Sequence, residues 1–344
     1  MLFLSVSFLR LEGSFHLFHS NQKTKLVLIF YILCIGIMQA FYLQSVSHSV
    51  NAFFAKDTTP HYRLILYIKL PMLVNKNLNN LVFIHFMYYN DTICCVSAFF
   101  INKKGKVFAM LGIIGAMDVE VNSIKSKVKN KTVSNIAGIE FVCGFIEDVM
   151  VCVAMCSPGK VNACICTQAM IDNFDVDKII NVGVGCSLDS NVVVKNVVIA
   201  NDVCEYDIDI TALGEPRGFV NGLNTIKIKT DSELSEKLAQ TAIRCGEKIH
   251  RGTVASGDTF IASSELKEFL ADEFGAICGE MEGGAIGHTC CANNIPFAVL
   301  RSISDGGDES AQMDYPIFKK IAADISTAII VEFIKTEQNQ FALF

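Results

Sequence analysis

Hydrophobic and polar positions fall into two kinds of pattern that meet near Met110. Before it, apolar residues come in long runs with no helical or alternating period. Leu26 to Leu43 is an 18-residue run broken only by Gln39, with Lys23 and Lys25 just ahead of it. That length suits a membrane span or the core of a signal peptide. A second stretch, Leu81 to Ile101, is broken by Asn90 and Asp91 and followed by Lys103, Lys104 and Lys106. Together the two read as a two-span hairpin whose basic flanks would keep both chain ends in the cytoplasm.

After Met110 the runs shorten and alternate with helical stretches. Leu111–Gly115 predicts a strand buried on both faces, with a helix starting near Asp118. Met150–Met155, Lys178–Val184, Asn196–Ala200, Thr253–Ala255 and Ile295–Leu300 predict further strands. Lys178–Val184 is expected to lead into a glycine turn at Gly183–Gly185, and a helix is expected to begin near Glu282. The chain closes on an amphipathic helix from about Pro316 to Lys335. Its Phe318, Ile321, Ile325, Ile329 and Phe333 recur at helical spacing, and Pro316 suits a first turn. Strands alternating with helices in this way predict an α/β sandwich with a largely parallel sheet. Ligands in such folds sit at the carboxyl ends of strands.

Charge sharpens the division. Residues 1–109 hold ten Lys/Arg against three Asp/Glu, a net of +7, and the remainder holds nineteen against thirty-two, a net of −13. The first part also has 13 of the 25 Phe but 3 of the 23 Gly. Two different kinds of polypeptide are joined, with residues 110–336 as the working domain and 337–344 as a short tail. For the first part the reading favoured is an over-extended gene start, because Met110 stands where an initiator is expected. A membrane anchor and a signal peptide are the alternatives. The acidic second part excludes nucleic-acid binding, which needs a basic footprint. Its eleven cysteines include no C-x-x-C, and only His250 and His288 could help a thiolate zinc site. Reduced, buried cysteines in a reducing cytosol are the expectation, with no metal.

The chemistry lies in four short segments: GIIGAMDVE (Gly112–Glu120), SGDTFI (Ser256–Ile261), GEMEGG (Gly279–Gly284) and RSISDGGD (Arg301–Asp308). Each sets a carboxylate beside glycines or at the end of a strand-like run, so Glu120, Asp258, Glu282 and Asp305 can surround a small polar ligand. Singly, each has a plain alternative as a turn or first-turn helix acid. Their recurrence beside glycine is the stronger signal, because glycine lets a ligand approach the backbone. Gly183-Val184-Gly185 after a strand invites a dinucleotide reading but lacks the third glycine.

In this order and at these separations the four segments resemble 5′-methylthioadenosine/S-adenosylhomocysteine nucleosidases, from about Leu111 to Phe333, and DITALG (Asp209–Gly214) also matches. The resemblance implies a three-layer α/β/α sandwich of the nucleoside phosphorylase type around a mixed, largely parallel sheet. It implies a cytoplasmic homodimer with no cofactor, membrane-associated only if residues 26–43 are made and inserted. Asp305 would protonate N7 of adenine and Glu120 would activate water for attack at C1′. Glu282, with the Met281 backbone beside it, would accept hydrogen bonds from the ribose hydroxyls. Phe260 would stack on the purine, and Ile261 would offer backbone hydrogen bonds. Ser304 and Arg301 would orient Asp305 and neighbouring acids, and Met117 and Tyr315 would line the 5′-alkylthio pocket. Ile210 and Leu213 resemble a loop lent by the partner subunit. The sequence departs from the family on two loops. Val184 and Cys186 stand where serine and glycine are usual, and Cys156-Ser157-Pro158-Gly159-Lys160 replaces S-G-I-G-K. A phosphate-dependent purine nucleoside phosphorylase, and a catalytically silent nucleoside-binding protein, are the competing readings.

Overall fold

The computed structural model describes the backbone of four strands between residues 50 and 101 and of residues 110–342, and the side chains of residues 110–337. The chain divides into two compact units, Met1–Phe108 and Ala109–Phe344. In the first, β1 (Val50–Lys56), β2 (Tyr62–Pro71), β3 (Asn79–Tyr89) and β4 (Thr92–Ile101) form an antiparallel sheet in chain order. Leu81–Ile101 is therefore not a single span: β3 ends at Tyr89, β4 begins at Thr92, and Leu81 pairs with Ile101. The other run, Leu26–Leu43, lies outside the described residues. Among the described residues no helix is long and apolar enough to cross a membrane.

The second unit is built on ten strands: β5 (Met110–Gly115), β6 (Lys129–Ile136), β7 (Ile139–Ile146), β8 (Val149–Met155), β9 (Val176–Ser187), β10 (Val197–Glu205), β11 (Ile228–Lys229), β12 (Ile249–Ser256), β13 (Ala276–Glu280) and β14 (Phe297–Asp305). They run β11-β10-β12-β13-β9-β5-β8-β7-β6, and β14 pairs with both β10 and β9. The sheet is mixed: β5–β8, β5–β9, β9–β14, β10–β12 and β12–β13 are parallel. One end closes on itself, because β9–β14–β10–β12–β13–β9 is a continuous ring of pairings. Antiparallel bonds at Cys186 and Ser187 on β9 make the closure with β13.

Period-two alternation on doubly buried strands divides the apolar residues between two cores. Ile114, Cys152, Ala154 and Ile179 face one core, and Ile113, Val151, Val153 and Ile180 face the other. Helices α2 (Lys160–Phe174) and α5 (Gly283–Ala292) cover the first through Cys166, Met170, Ile286 and Cys290. Helices α1 (Asp118–Lys127), α3 (Ser232–Arg244) and α6 (Ala311–Ala342) cover the second through Ile124, Leu238, Ile330 and Phe333. The three layers follow from that division. Helix α4 (Ser264–Phe274) packs Leu270 and Phe274 into a smaller cluster with Cys186, Tyr206 and Ile261.

Two expectations about the end of the chain are corrected. Helix α6 begins at Ala311, so Pro316 lies inside it rather than in its first turn, and the helix runs through the expected tail to Ala342. Ser310, Asp308 and Asp314 start it earlier, with the Asp308 carboxylate accepting from the Ser310 N–H at 2.9 Å.

Candidate active site

Glu120 is the third residue of α1, and from there it reaches back over the end of β5. One carboxylate oxygen accepts the N–H groups of Ala116 (2.7 Å) and Met117 (2.8 Å), and the other accepts the Val184 N–H (3.0 Å). The last contact requires Gly183 on β9, where a Cβ would stand 2.7 Å from Glu120 Oε1. The expected turn at Gly183–Gly185 is thus a continuous strand, β9, running on to Ser187. Those glycines make room for side chains; they do not reverse the chain.

Asp305 ends β14. Its Oδ2 accepts from Ser304 Oγ at 2.8 Å and its Oδ1 from the Gly307 N–H at 3.0 Å. Ser304 therefore bonds Asp305 directly. Arg301 instead meets the neighbouring acids. Buried behind the pocket wall, it bonds Asn181 Oδ1 at 2.6 Å, pairs closely with Glu280, and lies 3.7 Å from Glu282 Oε2. It balances the acids and is absent from the pocket surface, a correction to its placing among substrate-binding residues. The reason is electrostatic: a buried guanidinium goes where buried carboxylates compensate it.

Glu282 stands at the start of α5, with Oε1 accepting the Gly159 N–H at 3.0 Å. Glu280 escaped notice in the sequence and organises this corner. Its Oε2 accepts the N–H groups of Glu282 (2.9 Å) and Gly283 (2.7 Å), and its Oε1 is bonded by Ser256 Oγ. The signal was the Glu-Met-Glu repeat, of which only the second acid was given a role.

These groups face one pocket, a concave site of the kind that takes a small molecule. Met117, Glu120, Cys186, Phe260, Ile261, Met281, Glu282, Ser304, Asp305 and Tyr315 all line it, ten of the sequence-predicted residues. Tyr315 donates to Met117 Sδ at 3.0 Å and meets the Phe260 ring edge-on at 5.4 Å, so an aromatic and thioether rim forms at one side. Cys186 lies opposite Asp305 on the neighbouring strand, its buried thiol packed against the backbone at Gly279 and Gly307. Ile210 and Leu213 are not in this wall. Ile210 precedes and Leu213 ends a short 3₁₀ turn, with Leu213 82% exposed.

Burial sets the proton affinities. It raises Glu120 above the ordinary carboxylate range, opposed by the Arg301 charge and three N–H donors. It also raises Asp305, opposed by Ser304 and Gly307 and reinforced by Asp314 and Asp308. Burial and then Glu280 push Glu282 up to about 8, against Arg301. Both acids are raised, but their charged neighbours act in opposite directions: Arg301 opposes the rise at Glu120, and Asp308 and Asp314 add to it at Asp305.

The phosphorylase superfamily's model matches residues 110–335, the whole of this α/β sandwich up to Lys335 in α6. A 5′-methylthioadenosine/S-adenosylhomocysteine nucleosidase of Staphylococcus aureus is 34% identical over 229 residues, 66% of this chain and 100% of the relative. The Neisseria meningitidis enzyme of that name, solved with methylthio-immucillin-A, superposes with a TM-score of 0.64 at 30% identity, covering 66% of this chain and 99% of its own. The futalosine hydrolase of Helicobacter pylori gives a TM-score of 0.64 at 31% identity, covering 67% and 98%. The chain belongs to the phosphorylase superfamily and, within it, to the 5′-methylthioadenosine/S-adenosylhomocysteine nucleosidase family.

Proposed function

We propose that residues 110–335 hydrolyse the N-glycosidic bond of 5′-methylthioadenosine and S-adenosylhomocysteine, and also of 5′-deoxyadenosine. The products are adenine and the corresponding ribose, as in methionine salvage and recycling of adenosylmethionine by-products. One observation carries the reading: two buried carboxylates at the ends of different segments, Glu120 and Asp305, face one pocket in unlike electrostatic surroundings. Cleaving a ribosyl C–N bond builds positive charge on the sugar and negative charge on the leaving base, which calls for a base on one side and an acid on the other. In this reading Glu120, beside Arg301, takes a proton from the attacking water, and Asp305 gives one to N7 of the purine. Phe260 stacks on the base, Ile261 bonds its edge through the backbone, and Glu282 with Met281 holds the ribose hydroxyls. Met117 and Tyr315 receive the 5′-alkylthio group.

Phosphorolysis is less well supported. The pocket lining includes Glu120, Glu280, Glu282 and Asp305 and no lysine or arginine, so phosphate entering it would meet like charge. A silent binding protein would have no use for a paired acid and base. The half-buried Ile210 and exposed Leu213 support a homodimer in which this loop meets the partner. Free cysteines among the described residues support a reducing, cytoplasmic setting.

The test is adenine release from methylthioadenosine, S-adenosylhomocysteine, 5′-deoxyadenosine and futalosine, with and without phosphate. Phosphate-independent release with free ribose products is expected from the first three. Absolute dependence on phosphate, with a ribose-1-phosphate product, would overturn hydrolysis.

A further inference from the structure

The link from β8 to α2, Cys156-Ser157-Pro158-Gly159, touches the pocket twice. Pro158 lines it, and the Gly159 N–H bonds Glu282. This link is not relaxed chain. Ser157 has φ 69° and Gly159 φ 103°, so two of its residues occupy the left-handed region, one of them not glycine. Something beyond the link must hold it in place.

Lys160, the first residue of α2, supplies the hold. A cation there is unfavourable to the helix dipole, whose positive end it faces. Its surroundings give the compensation. The Lys160 ammonium reaches Asp207 Oδ1 at 2.6 Å and the buried Glu205 Oε2 at 3.0 Å. The Lys160 N–H donates to Asp258 Oδ1 at 2.7 Å, and the Asp258 N–H donates to Asp207 Oδ2 at 3.0 Å. Lys160, Asp207 and Asp258 therefore form a closed ring of bonds. Glu205 is fixed in turn by His288, whose Nδ1 lies 2.8 Å from Glu205 Oε1. None of these five residues lines the pocket.

We propose that Lys160 is a positioning residue for Glu282, acting through the 157–160 link that carries the Gly159 N–H. The proposal rests on the nucleosidase reading and deepens it. With the ring intact, Glu282 Oε1 is held on Gly159 while Oε2 faces Arg301, which fixes the plane of the carboxyl group presented to the ribose hydroxyls. Without the Lys160 ammonium, Glu205 and Asp207 repel each other, the strained link relaxes, and Glu282 is free to turn.

The experiment is a double-mutant cycle in the full chain: Lys160→Met, Glu282→Gln and both, with Lys160→Arg as the conservative variant. Methylthioadenosine and its 2′-deoxy analogue are the substrates. For methylthioadenosine, Lys160→Met should raise KM about tenfold with kcat changed less than about threefold, the signature of lost ground-state binding. For the 2′-deoxy analogue the change should stay under about threefold, and Lys160→Arg should recover most of the loss. Added to Glu282→Gln, Lys160→Met should cost less than about twofold more, because the two act as one unit. Equal damage with both substrates, full additivity, or a loss confined to kcat overturns the proposal. Should Lys160→Met fail to fold by circular dichroism, Asp207→Asn, which removes one charge of the ring at nearly the same shape, must show the same pattern at smaller amplitude; no such pattern also overturns it. A wild-type chain that releases no adenine removes the nucleosidase reading itself, and this proposal falls with it.

Discussion

At the scale of single residues, the site turns on how three buried carboxyl groups divide their protons. Glu120 must be ionised to accept a proton from water, so activity is lost as pH falls through its pKa. Asp305 must be protonated to donate one, so activity is lost as pH rises through its pKa. Burial raises both. The pH profile of kcat/KM should therefore be bell-shaped, with an acid limb above the ordinary glutamate value of 4.5. Asp305→Asn keeps the shape and removes the proton, and should lower kcat by about 10²–10⁴ while substrate still binds. Glu120→Gln should do the same and also remove the acid limb. Turnover unchanged in either variant, measured by adenine release, would mean the role belongs to another carboxylate. These acids were legible in the sequence because Asp305 and Glu282 stand directly beside glycine and Glu120 follows the short strand-like run that ends at Gly115. Glu280 was not, because a buried ion pair is defined by its partner, and β13 and β14 are joined only through β12 and β10 or through β9.

At the scale of elements, β9 carries the site and was the element most misread. Its glycines suggested a turn, yet each serves a contact across the sheet. A Cβ at Gly183 would stand 2.7 Å from Glu120 Oε1, and one at Gly185 would stand 2.7 Å from Cys278 Sγ. Gly183 does not have a positive φ, so alanine there is strained by space alone. Gly183→Ala should displace the Glu120 carboxylate from the Val184 N–H. We expect turnover to fall at least about tenfold, and stability by about 1–3 kcal/mol as in other overpacked cores. Kinetics and a denaturant melt on the same protein separate the two. Wild-type turnover would show that Glu120 adapts without loss. The hairpin of β6 and β7 escaped the sequence for a different reason. β6 is Lys-Asn-Lys-Thr-Val-Ser-Asn-Ile at the sheet edge, mostly exposed, so no apolar alternation marks it. Its two-residue turn, Ala137-Gly138, has positive φ at both positions, the geometry that matches strand twist. Of the helices, α1, α5 and α6 were expected from the sequence, and α2, α3 and α4 were not.

At the scale of the whole molecule, the boundary drawn from charge and glycine content at Met110 coincides with the start of the superfamily match, residues 110–335. Among the described residues, the two cores of the second unit draw on residues between Met110 and Ile334. A region of this size buries enough surface to fold by itself. We therefore expect a chain of residues 110–344 to fold and to release adenine with kcat/KM within about twofold of the full chain, a difference too small to reflect a changed transition state. One contact makes the expectation sharper. The Met110 N–H, at the head of the central strand β5, donates to Asp177 Oδ2 at 2.6 Å. In a chain starting at Met110 that donor becomes a charged α-ammonium, and the same carboxylate meets it as an ion pair. Asp177→Asn should then destabilise the 110–344 chain more than the full chain, by about 1 kcal/mol, the difference between a charged and a neutral hydrogen bond. Thermal melts of the four proteins measure it. Equal losses in both lengths would show that the Asp177 contact is indifferent to the start of the chain. A 110–344 chain that is insoluble while the full chain is active would show that the first unit is needed for the second to fold.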